Sequence, residues 1–347
     1  WRTQHLLLLT ATPHMGKDYP YFSLWRLLEP DILPTPDAFA SLPVHERDNH
    51  FIRRTKEEMV YLDGRPLYPK RDSATLGYAL TQGEVSEQKL YDETTDYLQF
   101  VYNRAKILNR QAAQLAMSVF QRRLASSTYA LRRSLERRLQ RLDDLAAQIA
   151  NGEMSAEHLR RAQAALAADA ADFDSKTADE ESPRDGMEER ESDEDMLMAG
   201  VVATSLTDLQ AEREQVAKLL ELALQVEAAG HESKFDKLRE LVTEPRYADE
   251  KILVFTEHRD TLEFLVKRLH GMGYTGQIAQ IHGGLHYSLR EAEVEKFRKP
   301  VDAGGARLLI CTDAAGEGIN LQFCWFMINY DVPWNPARLE QRMGRIH

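Results

Sequence analysis

Two stretches near the C-terminus combine residue types able to handle phosphate. The first is "CTDAAGEGINL", Cys311 to Leu321, directly after the apolar run "RLLI". Thr312 offers a hydroxyl where a strand should end. Gly316 and Gly318 let the backbone approach a ligand closely or take unusual dihedrals. A strand tip, small residues and a helix start together make a cradle for phosphate. A structural turn that needs two glycines would read the same way. The second stretch is "WNPARLEQRMGRIH", Trp334 to His347. Arg342 and Arg345 lie three apart, and a helix would place Gln341 and Arg345 on one face. Guanidinium groups are fixed forked donors that never deprotonate, which suits the charge developing on a transferring phosphoryl group. Two solvated arginines on a surface helix are the plain alternative.

These residues need elements to hold them, and the pattern from residue 231 onward supplies alternating strands and helices. "KILVFTE", "IAQIHGG", "ARLLICT" and "CWFMINYDVPW" are short apolar runs. Between them, "HRDTLEFLVKRLHGMG" carries Leu262, Leu265, Val266 and Leu269 at helical spacing, and "SLREAEVEKFRK" is a further helix. Strands alternating with helices predict a parallel sheet covered on both faces, with ligands at the C-terminal strand ends.

The rest of the chain differs. Leu6 to Leu9, closed by "TATP", predict a buried parallel strand. "SATLGYAL" alternates as a strand would, and a helix is expected from Gln82 on, with Leu90 and Leu98 on one side. Residues 101–150 have helical periodicity almost without breakers, with nine Arg and one Lys against three acids. Residues 169–195 hold thirteen acids against three bases and predict disorder, since little apolar surface offsets the ordering entropy. "LTDLQAEREQVAKLLELALQVEAAG" is a second helix, ended by Gly230. The section from 96 to 230 therefore reads as a helical hairpin with an acidic, disordered linker at about 169–198. Its basic face suits DNA phosphates and a docked protein partner equally, and a solvated helix pair is a third reading.

Bulk properties bound the function. Of the 347 residues 43% are hydrophobic and 29% charged, and the formal net charge is −11. That balance argues against a wholly basic nucleic-acid coat but leaves room for a local basic groove. Cys311 and Cys324 are too few for a disulfide framework or a zinc site, and Cys311 reads as a core thiol. No metal site is expected. No apolar stretch has membrane-spanning length, so a soluble cytoplasmic protein is expected, nucleoid-associated if bacterial. The chain opens on "WRTQHLLLLTATP" without Met, and both ends read as cut from something longer.

The order "LLLLTATP", "FIRRTK", "LYPK", "SKFDKL", "KILVFTE", "IHGG", "TDAAGEGINL", "NYDVPWNPARLEQRMGR" resembles the superfamily-two helicase-like ATPases. Within them it is most similar to the SWI/SNF-type double-stranded-DNA translocases and their bacterial RapA-like subgroup. "LLLLTATP" resembles motif III, "KILVFTE" motif IV, "TDAAGEGINL" motif V and "EQRMGR" motif VI. The resemblance covers roughly residues 1–95 and 231–347. It implies an α/β fold of RecA-like lobes. Residues 1–95 would end the first lobe and form the inter-lobe segment, 96–230 would be a helical insertion, and 231–347 a truncated second lobe.

It also implies roles. Arg345 would be the first arginine finger toward the γ-phosphate of ATP, with Gln341 beside it. Gly316, Glu317 and Gly318 would face the nucleotide. Thr312, with backbone groups at Gly283 and Gly284, would contact a DNA phosphate. Thr10 and Thr12 would couple nucleotide state to lobe closure. Arg53, Arg54 and Lys56 suit DNA or structural ion pairs equally. The family's next motif VI arginine lies one residue past His347. "MGKD", Met15 to Asp18, lacks the glycine spacing and the Ser or Thr of a Walker A loop. "SDED", Ser192 to Asp195, reads as solvated linker. The half that binds phosphate and Mg2+ is thus expected elsewhere, with the fragment alone inactive. The expected function is an ATP-dependent translocase that remodels or displaces nucleoprotein complexes on double-stranded DNA. Alternatives are a strand-separating DNA or RNA helicase and, for the fragment, a non-catalytic partner-binding module.

Overall fold

A computed structural model describes residues 6–9, 18–29, 31, 33–43, 46, 50–52, 54, 58–105, 110–151, 206–313 and 319–346. The acidic tract, Thr10, Thr12, Arg53, Lys56 and Gly316 to Gly318 lie outside the described residues. The chain divides into two compact units, 1–75 and 76–347.

The first unit has a small aromatic core. Helices α1 (Asp18–Leu28) and α2 (Pro36–Ser41) bring Phe22, Trp25 and Leu33 together, with Phe39 and Phe51 packed against them. Two predicted strands are corrected. Residues 6–9 form no strand, and Leu7 and Leu9 are 79% and 86% exposed. "SATLGYAL" runs without regular structure, and Leu76 and Tyr78 are exposed. An apolar run becomes a strand only with a neighbour to pair with, and among the described residues neither run has one.

Among the described residues the second unit begins with helices α3 (Glu87–Ala105), α4 (Arg110–Ser126), α5 (Thr128–Ala150) and α6 (Leu206–Ala228). Leu90 and Leu98 of α3 are buried as their spacing predicts. Thr81 and Glu87 tie the entry to α3 reciprocally: each backbone N–H donates to the other's side chain at 3.0 Å. The long helix read through residues 101–149 is broken at Ser127. Its Oγ accepts from Ala130 N and caps α5, a role for which hydroxyl residues compete with helix continuation. Helices α5 and α6 pack antiparallel, since Arg132 pairs with Glu227 and Arg213 with Asp143. Gly230 stops the segment with φ of +76°, a left-handed conformation that favours glycine after a helix.

After α7 (Ser233–Thr243) come β1 (Ile252–Phe255), α8 (Arg259–Gly271), β2 (Ile278–Ile281), α9 (Tyr287–Arg298), β3 (Leu308–Cys311), β4 (Phe326–Asn329) and α10 (Pro336–Met343). All pairings are parallel, in the order β2-β3-β1-β4. Alternate residues serve opposite faces. Ile252, Val254, Leu308 and Ile310 pack on Phe235, Leu262, Leu265 and Leu269 of α7 and α8. Leu253, Phe255, Leu309 and Cys311 pack on Val294 and Phe297 of α9 and on Leu321. Strands buried on both faces explain why the sequence shows continuous apolar runs rather than alternation. Burying each such side chain contributes about 1.5–3 kcal/mol against conformational entropy.

Candidate nucleotide and nucleic-acid site

Parallel register aligns the strand ends in one row. Phe255 lies opposite Cys311 and Asn329, and Ile281 opposite Cys311. The residues just beyond form a ledge. Thr256 N donates to Cys311 O at 3.0 Å, Thr312 N to Ile281 O at 3.0 Å and Tyr330 N to Phe255 O at 2.8 Å. Thr312 and the turn at Gly283 and Gly284 thus follow neighbouring strands. Thr312 itself is 5% exposed, so its hydroxyl lies under the ledge, whereas Gly284 is exposed. Arg290 of α9 shapes the glycine turn, donating to Gly283 O at 2.6 Å and to Leu285 O at 2.7 Å.

Helix α10 lies beside the ledge, and the two arginines of "EQRMGR", one in the helix and one in the turn after it, differ in burial. Arg342, read from sequence as a phosphate-handling or solvated side chain, is 1% exposed. It pairs with Asp313, donates to Asn329 Oδ1 at 3.1 Å and to Asp331 O at 2.6 Å, and sits 5.0 Å from the Phe255 ring centroid. One side chain therefore joins α10 to the ends of β1, β3 and β4. A buried arginine with a carboxylate and neutral acceptors is compensated for leaving water, and losing the arginine would strand those acceptors.

Arg345 follows two residues after the helix ends. The last turn tightens: Arg345 N donates to Arg342 O at 3.1 Å and Ile346 N to Met343 O at 3.3 Å. Arg345 O accepts from Leu321 N at 3.2 Å, and Ile346 packs into the core under the sheet. The backbone of Arg345 is thereby fixed while its side chain stays half-exposed, and Gln341 is exposed one turn back. Arg54 is exposed in the first unit.

The residue that sequence reading missed is Asp331, buried at the end of β4. Its Oδ2 accepts from Ser126 Oγ at 2.7 Å, Thr256 Oγ1 at 2.6 Å and Glu257 N at 3.0 Å, and Lys234 pairs with Oδ1 at 2.5 Å. Burial alone would raise this carboxyl's pKa. Lys234, His258 and the donated hydrogen bonds outweigh it and hold the group below its ordinary value. The only local signal was a polar residue closing an apolar strand in "NYDVPW".

The insertion's basic face points at this same region. Arg122 pairs with Glu257 at 2.5 Å, and Arg123 and Arg137 share Asp260 at 3.0 and 2.7 Å. Arg138 is buried against Glu212, and Arg132 and Arg133 pair with Glu136. Much of the basic excess of residues 101–150 is therefore matched by the chain's own carboxylates. The sequence reading had considered only DNA, a partner or solvent. Among the described residues, no group of three His, Cys, Asp or Glu side chains could hold a metal ion.

A four-stranded parallel sheet, flanked by helices and ending in this ledge, is the second-lobe architecture of RecA-like helicases. Residues 233–347 match the helicase conserved C-terminal domain. The chain is 27% identical over 352 residues to the uncharacterized ATP-dependent helicase YqhH of Bacillus subtilis, covering 99% of this chain and 48% of that protein. It is 36% identical over 100 residues to the RNA polymerase-associated protein RapA of Sodalis glossinidius, covering 28% of this chain and 10% of that protein. It is 34% identical over 98 residues to the ATP-dependent RNA helicase dbp8 of Aspergillus fumigatus, covering 28% and 18%. The chain thus spans about half or less of the curated relatives it matches, and it is homologous to ATP-dependent helicases, along 99% of its length in the case of YqhH. No described helix is long and apolar enough to cross a membrane.

Proposed function

We propose that the chain is part of an ATP-dependent double-stranded-DNA translocase, of the SWI/SNF-type RapA-like kind, that remodels or displaces nucleoprotein complexes. Residues 231–347 form its second lobe, residues 1–95 the end of the first lobe and the inter-lobe segment, and residues 96–230 an insertion. The observation that carries this reading is the contrast between Arg342 in α10 and Arg345 in the turn after it. Arg342 fixes the helix on the strand ends, and Arg345 follows with a hydrogen-bonded backbone and a half-exposed side chain.

Arg345 would donate to the γ-phosphate of ATP as charge builds on its oxygens, with Gln341 orienting the group beside it. The described residues fit this part of the task, offering fixed donors and no competing carboxylate from α10 other than Glu340. They offer no cluster for Mg2+. The chain spans 48% of the relative YqhH, and the reading assigns Mg2+ and the phosphate loop to parts of the complete protein other than residues 1–347, which alone would show no turnover. Gly316, Glu317 and Gly318 would line the nucleotide. The turn at Gly283 and Gly284, with Thr312 behind it, would meet one DNA strand through backbone groups. Such contacts position the duplex without reading sequence. Thr10, Thr12, Arg53, Arg54 and Lys56 retain the roles given by the resemblance, lobe coupling and DNA contact. A cytoplasmic location, nucleoid-associated if the protein is bacterial, follows from the same reading.

The test compares nucleic acids as activators of ATP hydrolysis by the complete natural chain. Duplex DNA should stimulate turnover more than single-stranded DNA or RNA. The relatedness to RNA helicase dbp8 favours a second reading, a strand-separating RNA helicase, and stimulation by RNA alone would select it.

A further inference from the structure

The helical insertion and the arginine-bearing turn touch the same residue from opposite ends. Ser126, the last residue of α4, is 1% exposed. Its hydroxyl lies 2.7 Å from both Asp331 Oδ2 and Thr261 Oγ1, and Ser127 Oγ lies 3.0 Å from Thr261 Oγ1. One arrangement of single protons satisfies all three hydroxyls. Ser127 donates to Thr261, Thr261 to Ser126, and Ser126 to the carboxylate, which can only accept. At the other end of the same residue, Asp331 O accepts from Arg342. The insertion cannot shift easily around this point, because Arg122, Arg123 and Arg137 hold it to Glu257 and Asp260 beside the strand end. Glu257 N in turn donates to Asp331 Oδ2.

We propose that Ser126 is a positioning residue through which the helical insertion sets the placement of the Arg345 turn. The chain of contact runs from Ser126 to Asp331, from the Asp331 carbonyl to Arg342, and from Arg342 O to Arg345 N. The basic helices are then a brace against the catalytic edge of their own lobe, and whatever moves them alters turnover. This inference rests on the proposed role of Arg345.

The experiment uses the complete natural chain with saturating duplex DNA. Ser126→Ala should lower kcat for ATP about fivefold with little change in KM, the size expected for coupling through packed polar contacts. In an Arg342→Lys background the same change should add nothing, because the path is already cut. Should Arg342→Lys fail to fold, amide hydrogen exchange on Ser126→Ala alone decides. Exchange at Gly344 to Ile346 should speed up while the β1 amides stay protected. Unchanged kcat with unchanged exchange at those amides overturns the proposal. Arg345→Ala is the control. If it abolishes turnover and Ser126→Ala does nothing, only the brace fails. If Arg345→Ala remains active, the reading of the site fails, and hydrogen exchange alone judges the brace.

Discussion

Two buried arginines, one in the sheet lobe and one in the helical insertion, have much the same surroundings but different consequences. Arg138 meets Glu212, which also accepts from Tyr97 OH at 3.0 Å, and all three lie inside the bundle of α3, α5 and α6. Arg342 meets Asp313, a side-chain amide, a backbone carbonyl and an aromatic ring at the sheet edge. The contacts described for the first network join α3, α5 and α6 to one another. The second holds a turn whose next arginine stays half-exposed. Burial and ion pairing alone therefore do not mark a functional arginine. What matters is what the fixed group positions.

The comparison can be broken most strongly by truncation. Arg342→Ala and Arg138→Ala should each destabilise chain 1–347 by about 3–5 kcal/mol, because each removes the near arginine of a buried carboxylate, leaving Asp313 with Arg338 at 3.7 Å and Glu212 with the Tyr97 hydroxyl. Denaturant titration reads this directly, and a loss below about 1 kcal/mol at either site would show that water reaches the supposedly dry pair.

Replacing whole networks should then separate the two. Arg138→Met with Glu212→Leu and Tyr97→Phe removes the arginine together with its carboxylate and the tyrosine hydroxyl, and stability should stay within about 1 kcal/mol or rise. Arg342→Met with Asp313→Leu should still cost about 1–3 kcal/mol, because Asn329 and the Asp331 carbonyl lose their donor. Equal outcomes would erase the distinction drawn between the two arginines.

The smallest effect concerns pH. Glu232, at the junction of insertion and lobe, is pushed up to about 8 by burial, with Glu87 adding and the Thr128 hydrogen bond opposing. A raised acid pKa means that the folded state holds the proton more tightly. This contribution to stability is complete below the ordinary value of 4.5 and is lost as pH rises through about 8. Asp331 has the opposite sign: its contribution is present above its ordinary 3.8 and is lost as pH falls through its depressed value. Glu232→Gln should flatten the slope of unfolding free energy between pH 4.5 and about 8 and leave the acid limb intact. An unchanged slope would assign the titration to another group.

The four paired strands were legible as short apolar runs, with β1 and β3 buried on both faces and β4 half-buried. Helix α8 was legible because Leu262, Leu265 and Leu269 recur on one side. The runs at Leu6 and Ser73 look similar in sequence but have no pairing partner among the described residues, and pairing is not a property of one segment. Thr312 was grouped with Gly283 and Gly284 through the family resemblance alone, and the strand order that makes β2 and β3 neighbours came from the structure. The burial of Arg342 could not be read, because "EQRMGR" offers two arginines in like settings and only the fold decides which one turns inward. The docking of Arg122 on Glu257 joins residues 135 apart in the chain, and no local pattern carries it.

The central claim is that Arg342 holds and Arg345 acts. The most direct test measures unfolding free energy and DNA-stimulated ATP turnover together on Arg345→Ala in the complete natural chain. The account predicts stability within about 0.5 kcal/mol of the parent, as for other partly exposed positions, and a loss of turnover of about a thousandfold or more with duplex binding retained. Undiminished turnover, or a collapse in stability like that of Arg342→Ala, would contradict it.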